Sequence, residues 1–423
     1  MNKLEIRQRF IKLFSIDVLV KAGSFLLLPV YLNLMTQEEF GNYSYIFSIV
    51  GMCAFVFGMG QHAALNRFYH SREYTRDTVV ENIHLVLLSS FVFFGILLVV
   101  FQDLVIDVFF KFSISNVIFY SMIALAMLIS LNQIFMSFLY QSEKISLVQK
   151  KNISDFLIIN ISVLAFLYFL PFPKDELRIF GMVVSYIVIL SIFYRFFIAK
   201  NNFKFVNRNM VFYKRGLKNG FPVAVGSFAN FFILFGDRFA IEKLLDKSSL
   251  GIYSFAIVVV GILMIVFTSF QNVWLPYFFK EKNLDISFKR VYKIILIFLG
   301  ASVVIGLGIY ILVYILANYF IGYSYIKSLD FLWVLVVATF FQIAGMFIAG
   351  FYQIFEKNHI SVPINILAGV LNIYMNYYFI EYYGLLGAAI STALISFMLF
   401  MLHFCLVHHY RKKGNYGEYF TKH

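Results

Sequence analysis

The feature that most constrains the fold of this chain is a series of apolar runs that recur along all of its 423 residues. Several runs reach the roughly 20 residues that a helix needs to cross a bilayer, such as the one that ends "VVIGLGIYILVYILA" at Ala317. Hydrophobic residues make up 61% of the chain and charged residues only 13%, which is too apolar for a water-soluble fold. The strands of a membrane β-barrel alternate apolar and polar residues and would not give apolar runs this long. The sequence therefore predicts an all-α integral membrane protein.

The polar interruptions between the runs divide the chain into about twelve predicted transmembrane helices. These spans are residues 13–34, 41–66, 80–101, 116–140, 152–170, 178–199, 220–241, 250–274, 291–317, 329–352, 362–381 and 384–409.

The N-terminal "MNKLEIRQRFIK" leads straight into the first span without a small-residue cleavage pattern. It therefore indicates an uncleaved first helix, not a signal peptide.

The net charge of +13 has an explanation in the distribution of Lys and Arg among the loops. When the Lys and Arg residues are assigned to alternate loops, about 27 of them fall on one side of the membrane and about 6 on the other. The fourth loop, on the side with the larger number, is counted with Lys144, Lys150 and Lys151. The positive-inside rule then predicts that both termini are cytoplasmic, and no nucleic-acid partner is needed to explain the charge. The loops between spans are too short to hold a soluble domain.

Two segments of the chain match at a constant offset and indicate an internal repeat. "FGNYSYIFSIVGMCAFVFGMGQHAALNRFY" from Phe40 and "LGIYSFAIVVVGILMIVFTSFQNVWLPYFF" from Leu250 share about ten identities in thirty, including Gln61 and Gln271. "YQSEK" at Tyr140 and "YQIFEK" at Tyr352 match at nearly the same offset. Chance similarity of apolar segments is the alternative.

The repeat predicts two six-helix lobes, residues 1–199 and 219–423, joined by a basic cytoplasmic linker, residues 200–218. An even number of spans in each lobe predicts a pseudo-twofold axis along the membrane normal, with a substrate cavity between the lobes.

Three motifs give the chain a resemblance to a known family. "FPVAVGSFANFFILFGDRFAIEKLLDKSSLGIYSFA", "FGNYSY" and "GLLGAAISTALISF" resemble the polysaccharide transporter branch of the multidrug, oligosaccharidyl-lipid and polysaccharide (MOP) exporter superfamily. The Wzx-type O-antigen flippases are the most similar type. The resemblance implies a MATE-like fold and a transporter, not an enzyme, in the bacterial inner membrane.

The same resemblance implies the cargo and the mode of transport. The cargo would be an undecaprenyl-pyrophosphate-linked oligosaccharide, moved between leaflets by alternating access of two lobes. No ATP hydrolysis is implied, in keeping with a sequence that lacks a GxxxxGK[ST] phosphate loop. No cofactor is expected, and H⁺ or Na⁺ are the candidate coupling ions. The bilayer is one partner, and the polymerase and chain-length proteins of the same pathway are candidate partners.

Ionisable and amide side chains inside the spans are the candidate cavity residues, because such groups are costly in hydrocarbon and normally face a cavity or a partner. Asp17 and Lys21 are four residues apart in the first span, where a structural ion pair is the alternative to a cavity role. Asp155 lies on a polar face of the fifth span. The eleventh span carries the stripe Asn365, Asn372 and Asn376, whose amides could bond either neighbouring helices or sugar hydroxyls.

The charges at Arg67, Asp237 and Arg238 complete this set. Arg67 closes the second span on the cytoplasmic side, where it could meet a phosphate, although an ordinary positive-inside anchor explains it as well. Asp237 and Arg238 are adjacent on the seventh span and point about 100° apart, so a mutual salt bridge is not expected. Asp237 is predicted to face the cavity. Arg238 is predicted to be partly a snorkelling anchor paired with Glu242. No catalytic residue and no metal ligand is predicted.

Two other functions stay open on the sequence. A cation-coupled multidrug exporter of the same superfamily would share the fold and would need a titrating or Na⁺-binding carboxylate, for which Asp17, Asp155 and Asp237 are available. A membrane-bound polysaccharide polymerase or glycosyltransferase would be expected to present catalytic groups from a large outward loop. The short loops do not favour this second alternative.

Overall fold

The computed structural model describes residues 20, 23–71, 73–112, 114–201, 209–278, 284–354 and 360–413. Within these ranges the chain forms helices joined by turns, without a strand, which confirms the predicted all-α architecture. The helices in chain order are α1 Leu28–Leu34, α2 Gln37–Gly58, α3 Gln61–Phe68, α4 Arg76–Val100, α5 Gln102–Phe109, α6 Asn116–Gln141, α7 Ile145–Phe169, α8 Lys174–Asn201, α9 Met210–Leu244, α10 Lys247–Phe278, α11 Leu284–Tyr319, α12 Leu329–Ala349, α13 Phe351–Ile354 and α14 Ser361–Lys413, with a 3₁₀ helix at Tyr323–Ser328.

Ten helices in the described ranges are long and apolar enough to cross a membrane. The last of them, α14, is interrupted at Gly384, where φ is 57° and ψ is −136°, so it comprises two spans. This interruption lies where the sequence predicts the boundary between the eleventh and twelfth spans. The shorter apolar stretch Gly23–Leu34 is the described part of the first predicted span. Within the described ranges the chain is therefore a multi-pass helical membrane protein, and the count of about twelve spans for the whole chain remains a prediction.

The predicted second span, residues 41–66, is divided in the structure between α2 and α3. Met59 and Gly60 both have a left-handed backbone, with φ of 45° and 63°, and this ends α2. Glycine adopts that conformation without strain, whereas Met59, which carries a side chain, adopts it at a cost. At the matched position of the repeat Phe270 replaces Gly60, and α10 continues without a break to Phe278. The two matched segments therefore differ in backbone at this point.

A close backbone contact holds the turn between α2 and α3 against α9. A Cβ atom on Gly60 would lie 2.1 Å from the carbonyl oxygen of Gly220, and a Cβ atom on Gly220 would lie 2.3 Å from that of Met59. The fully buried Gln61 amide donates to the carbonyl oxygens of Met59, at 3.1 Å, and Gly216, at 3.3 Å. Any larger residue at positions 60 or 220 would have to push the two backbones apart.

The variant Gly60→Ala is expected to lower the melting temperature of the purified protein by several degrees. A non-glycine residue in the left-handed region costs about 1–2 kcal/mol, and the overlap with the Gly220 carbonyl group adds to this. Gly261→Ala in α10 is the matched control, because no atom lies within 4 Å of the added methyl group. Thermal unfolding in detergent would measure both variants. Equal melting temperatures for the two would contradict the account of this contact.

The contacts between residues divide the chain into two compact units, Met1–Phe228 (unit 1) and Ala229–His423 (unit 2). The boundary falls inside α9, whose first half belongs to unit 1 and whose second half belongs to unit 2. Of the linker predicted at residues 200–218, residues 202–208 lie outside the described ranges and residues 210–218 are helical. The lobe boundaries drawn from the sequence remain a prediction.

In unit 1, α2 packs against α6 and α8, and α7 packs against α8. The start of α2 is set by a capping box, in which Thr36 Oγ1 accepts from the backbone N–H of Glu39 and the Glu39 carboxylate accepts from the backbone N–H of Thr36. Phe57 of α2 makes an edge-to-face contact with Phe91 of α4 at 5.6 Å. Inside hydrocarbon these contacts stabilise through close packing, because lipid tails are as apolar as the side chains.

In unit 2, α12 packs against α10, α11 and α14. At the position of the repeat that matches Phe57, Phe267 of α10 makes an edge-to-face contact with Phe298 of α11 at 5.8 Å. Glycines bring α9 and α14 together, since a Cβ on Gly369 would lie 2.9 Å from the carbonyl oxygen of Ala229. The matched aromatic contacts within each unit support the sequence repeat, and the predicted symmetry axis remains a prediction.

Candidate functional site

The predicted cavity residues are divided between the two units. Asp17 and Lys21 lie outside the described residues. In the part of the chain that the structure describes, unit 1 carries Arg67 and Asp155, and unit 2 carries Asp237, Arg238, Asn365, Asn372 and Asn376.

Asp237 of α9 is a buried carboxylate whose two oxygens both accept hydrogen bonds. The residue is 4% exposed, Oδ1 accepts from the backbone N–H of Arg238 at 2.8 Å, and Oδ2 accepts from the hydroxyl of Tyr253 at 2.7 Å. Tyr253 of α10 is fully buried and stacks on Phe331 of α12 with 5.7 Å between ring centroids. A buried charge requires such partners. The carboxylate is thus held in one orientation between α9 and α10.

Arg238 is buried, whereas the sequence predicts that it is partly a snorkelling anchor. The residue is only 5% exposed, and its guanidinium lies over the ring of Phe235, one turn earlier, at 4.8 Å. Helical side chains point toward the N-terminus of their helix, which explains why Arg238 contacts Phe235. The ion pairs found among the described residues do not join Arg238 to Glu242. The buried Nε and Nη1 of Arg238 have no hydrogen-bond partner within the described ranges, so they are available to a polar ligand.

The asparagine stripe of the eleventh span is brought together only in part. Asn376 Nδ2 donates to Asn372 Oδ1 at 2.6 Å, and both residues are buried. Asn365 is half-buried two turns earlier. Asn372 lies against Gly236 of α9, where an added Cβ would come within 2.7 Å of Asn372 Oδ1. The buried Oδ1 of Asn376 has no hydrogen-bond partner among the described groups, so this pair retains an open acceptor.

Asp155 of α7 belongs to a buried ion pair that the sequence interpretation missed. Lys151 Nζ lies 2.6 Å from Asp155 Oδ2, with the Lys151 side chain 0% exposed and that of Asp155 20% exposed. The ammonium group also lies 5.8 Å from the ring of Phe193. Assigning Lys151 to the fourth cytoplasmic loop was wrong, because α7 begins at Ile145 and carries Lys151 into the protein. The spacing of four residues between Lys151 and Asp155 was the available signal.

Arg67 lies exposed at the end of α3, and its Nη1 donates to Asn219 Oδ1 of α9. Its guanidinium lies 5.5 Å from the ring of Phe68. Arg67 therefore combines an exposed charge with a contact that holds α3 to α9, and both a phosphate contact and an anchoring role remain open to it.

The described residues include no group of three or more His, Cys, Asp or Glu side chains that could hold a metal ion. The polar groups of unit 2 are instead a carboxylate, a guanidinium with free N–H groups and a pair of amides. Such a set can bind a charged or hydroxyl-rich ligand or a small cation through oxygen and nitrogen atoms.

Comparison with known sequences gives a match to a protein family and a match to one relative. A family model described as "Polysaccharide biosynthesis protein" matches residues 6–282, which is more than half of the chain. A protein of Shigella flexneri that is named as a proposed O-antigen transporter is 26% identical over 376 residues, which cover 84% of this chain and 87% of that protein. The similarity to this relative thus extends through most of both chains.

Comparison with solved structures shows a MATE-like fold. The inward-facing conformation of a multidrug resistance MATE family transporter of the MOP superfamily gives a TM-score of 0.72 at 15% identity, covering 94% of this chain and 96% of that chain. A variant of a Vibrio cholerae MATE transporter gives 0.64 at 11% identity, covering 98% of both chains. At such low identity the likeness concerns the fold and not the substrate.

Proposed function

The chain belongs to the polysaccharide biosynthesis protein family, and from that premise we propose that it is a flippase for an undecaprenyl-pyrophosphate-linked oligosaccharide. The observation that carries this proposal is the family match together with the similarity, over most of the chain, to a relative named as a proposed O-antigen transporter. Both this relative and the structural neighbours are transporters, and so is this chain. The cargo would be an O-antigen unit or a similar surface polysaccharide repeat.

The proposed setting is the bacterial inner membrane, with both termini in the cytoplasm, where the excess of Lys and Arg would lie. The lipid-linked oligosaccharide would enter from the cytoplasmic leaflet and leave on the periplasmic side by alternating access. The isoprenoid chain would remain in the bilayer, while the pyrophosphate and sugars would contact polar side chains inside the protein. Polymerase and chain-length proteins would act on the product.

The buried polar groups of unit 2 support a ligand or ion site in this transport cycle. Arg238 offers N–H donors for the negative charge of a cargo, and Asn376 offers an amide acceptor for hydroxyl groups. Asp237 is the carboxylate of this group that a coupling H⁺ or Na⁺ would neutralise. Protonation of Asp237 would remove an acceptor of the Tyr253 hydroxyl, so the ion would act directly on the contact between α9 and α10.

A cation-coupled multidrug exporter is the alternative function, and the MATE-like fold is the observation in its favour. Such a protein would use the same buried carboxylate for coupling but would carry cationic or amphipathic drugs. The two functions differ in what a cell loses with the gene. A flippase is required for surface polysaccharide, whereas a drug exporter is required for resistance.

Deletion of the gene is expected to abolish the surface polysaccharide and to cause lipid-linked oligosaccharide to accumulate inside the cell. Mass spectrometry of the extracted lipids would measure the accumulation, and plasmid-borne wild-type protein should reverse it. Drug sensitivity should stay at the parental value. Normal polysaccharide together with increased drug sensitivity would instead identify the multidrug exporter.

A further inference from the structure

Arg178 of α8 lies against two tyrosine rings in unit 1. Its Cζ atom is 3.8 Å from the centroid of the Tyr43 ring and 4.1 Å from that of the Tyr31 ring. A third ring, that of Phe40, lies 5.7 Å from the same atom. Such cation–π contacts cover the faces of the guanidinium and leave its N–H edge open.

Hydrogen bonds hold both rings in position. The Tyr31 hydroxyl donates to Asn160 Oδ1 of α7 at 2.7 Å. The Tyr43 hydroxyl approaches Met182 Sδ of α8 at 3.7 Å. Because α1, α2, α7 and α8 all contribute to these contacts, the orientation of Arg178 is fixed before any ligand binds. A group held in advance loses little conformational entropy on binding.

The positive charge of Arg178 has no carboxylate partner among the described ion pairs. Its described hydrogen bond goes to the thioether of Met35, at 3.6 Å, which is a weak acceptor. Two carboxylates near it are engaged elsewhere: Glu39 accepts from the backbone N–H of Lys174, and Asp175 accepts from the Asn42 amide. A third, Glu176, lies two residues earlier on α8, and side chains at that spacing do not face each other on a helix. The half-buried guanidinium therefore retains donors for an oxygen anion.

We propose that Arg178 is a binding site for a phosphate group. A planar guanidinium edge forms two parallel hydrogen bonds to two phosphate oxygens, which a thioether cannot match. The site lies where α1 ends and where α2 and α8 begin. This is the end of the spans opposite to the basic loops. The ends of the spans lie at the depth of the phosphate groups of membrane lipids. The phosphate would come from a phospholipid headgroup or from the pyrophosphate of the cargo, and the second source rests on the proposed function.

Native mass spectrometry of the full-length protein in detergent would measure the affinity for undecaprenyl pyrophosphate and, separately, for phosphatidylglycerol. Arg178→Gln is expected to weaken binding of at least one of these lipids about tenfold or more, because charge-assisted hydrogen bonds are lost. Arg178→Lys should lose less, since it keeps the charge but not the two-pronged edge. Arg76→Gln is the matched control, because Arg76 also lies over a tyrosine ring, that of Tyr69 at 5.3 Å, but is exposed. The affinity of this control variant for both lipids should not change.

The two lipids separate the two sources of phosphate. A loss restricted to undecaprenyl pyrophosphate supports a cargo site, and a loss restricted to phosphatidylglycerol supports a headgroup site even if the proposed cargo is wrong. Unchanged affinity for both lipids in a folded Arg178→Gln protein would overturn the proposal. Should Arg178→Gln fail to fold, Arg178→Met would take its place, and unchanged affinity for both lipids in that folded variant would overturn the proposal equally.

Discussion

Replacement of Asp237 by Asn is expected to reduce transport at least about tenfold, because interactions that involve a buried charge are worth about 1.5–3 kcal/mol. The amide keeps the size of the carboxylate but replaces one acceptor by a donor. Either the Tyr253 hydroxyl or the Arg238 backbone N–H would then face a donor, and the negative charge beside the buried Arg238 would be lost. Surface polysaccharide restored to a deletion strain by the variant would measure the effect.

The same change at Asp285 provides the matched control for Asp237. Asp285 pairs with Arg411 at 2.6 Å, but its side chain is 69% exposed, so Asp285→Asn should restore polysaccharide to within about twofold of the wild type. Tyr253→Phe should fall between the two, since it removes one hydrogen bond and no charge. Wild-type polysaccharide from Asp237→Asn at equal membrane abundance would remove Asp237 from the proposed site.

Separate replacement of Lys151 by Met or Asp155 by Leu is expected to destabilise the protein by about 3–5 kcal/mol each, because either change leaves a buried charge without its partner. The double variant with Met at 151 and Leu at 155 should recover most of this loss. Two apolar side chains can pack where the ion pair was, beside Phe193. Unfolding of the purified protein in detergent would compare the four proteins as a double-mutant cycle.

The exposed pair of Arg215 and Glu73 is the control for this cycle. These side chains lie 2.5 Å apart and are 50% and 63% exposed, so their separate replacement by Gln should change the stability little. If the double variant at 151 and 155 loses as much as the two single variants together, the two charges do not interact, and the account of this pair is wrong.

Hydropathy predicted most of the fold because the spans are set by long apolar runs, which are local in sequence. The interruption at Gly384 was predicted for the same reason, since polar residues mark the boundary near it. The break at Met59 and Gly60 was not predicted, because it depends on a close contact with Gly220, far away along the chain. A single sequence carries no signal for such a contact.

The charged sites were predicted only where the charge stands inside an apolar run. Asp237 met that criterion, and the structure places it in a buried hydrogen-bonded position. Lys151 was missed because it lies one residue outside the predicted fifth span, although Asp155 four residues later indicated a pair. Arg178 was missed because its setting comes from Tyr31 and Tyr43, which are more than 130 residues away in sequence.

Transbilayer movement of the lipid-linked oligosaccharide by the purified protein tests the central claim most directly. The protein would be reconstituted into liposomes that contain the undecaprenyl-pyrophosphate-linked oligosaccharide of its own host, and a membrane-impermeant glycosidase would report the outer-leaflet fraction. The wild-type protein is expected to make the inner-leaflet pool accessible to the enzyme, and Asp237→Asn is expected to do so at a rate at least about tenfold lower. An inner pool that stays protected from the enzyme, in vesicles whose protein is folded and correctly inserted, would contradict the proposed flippase function.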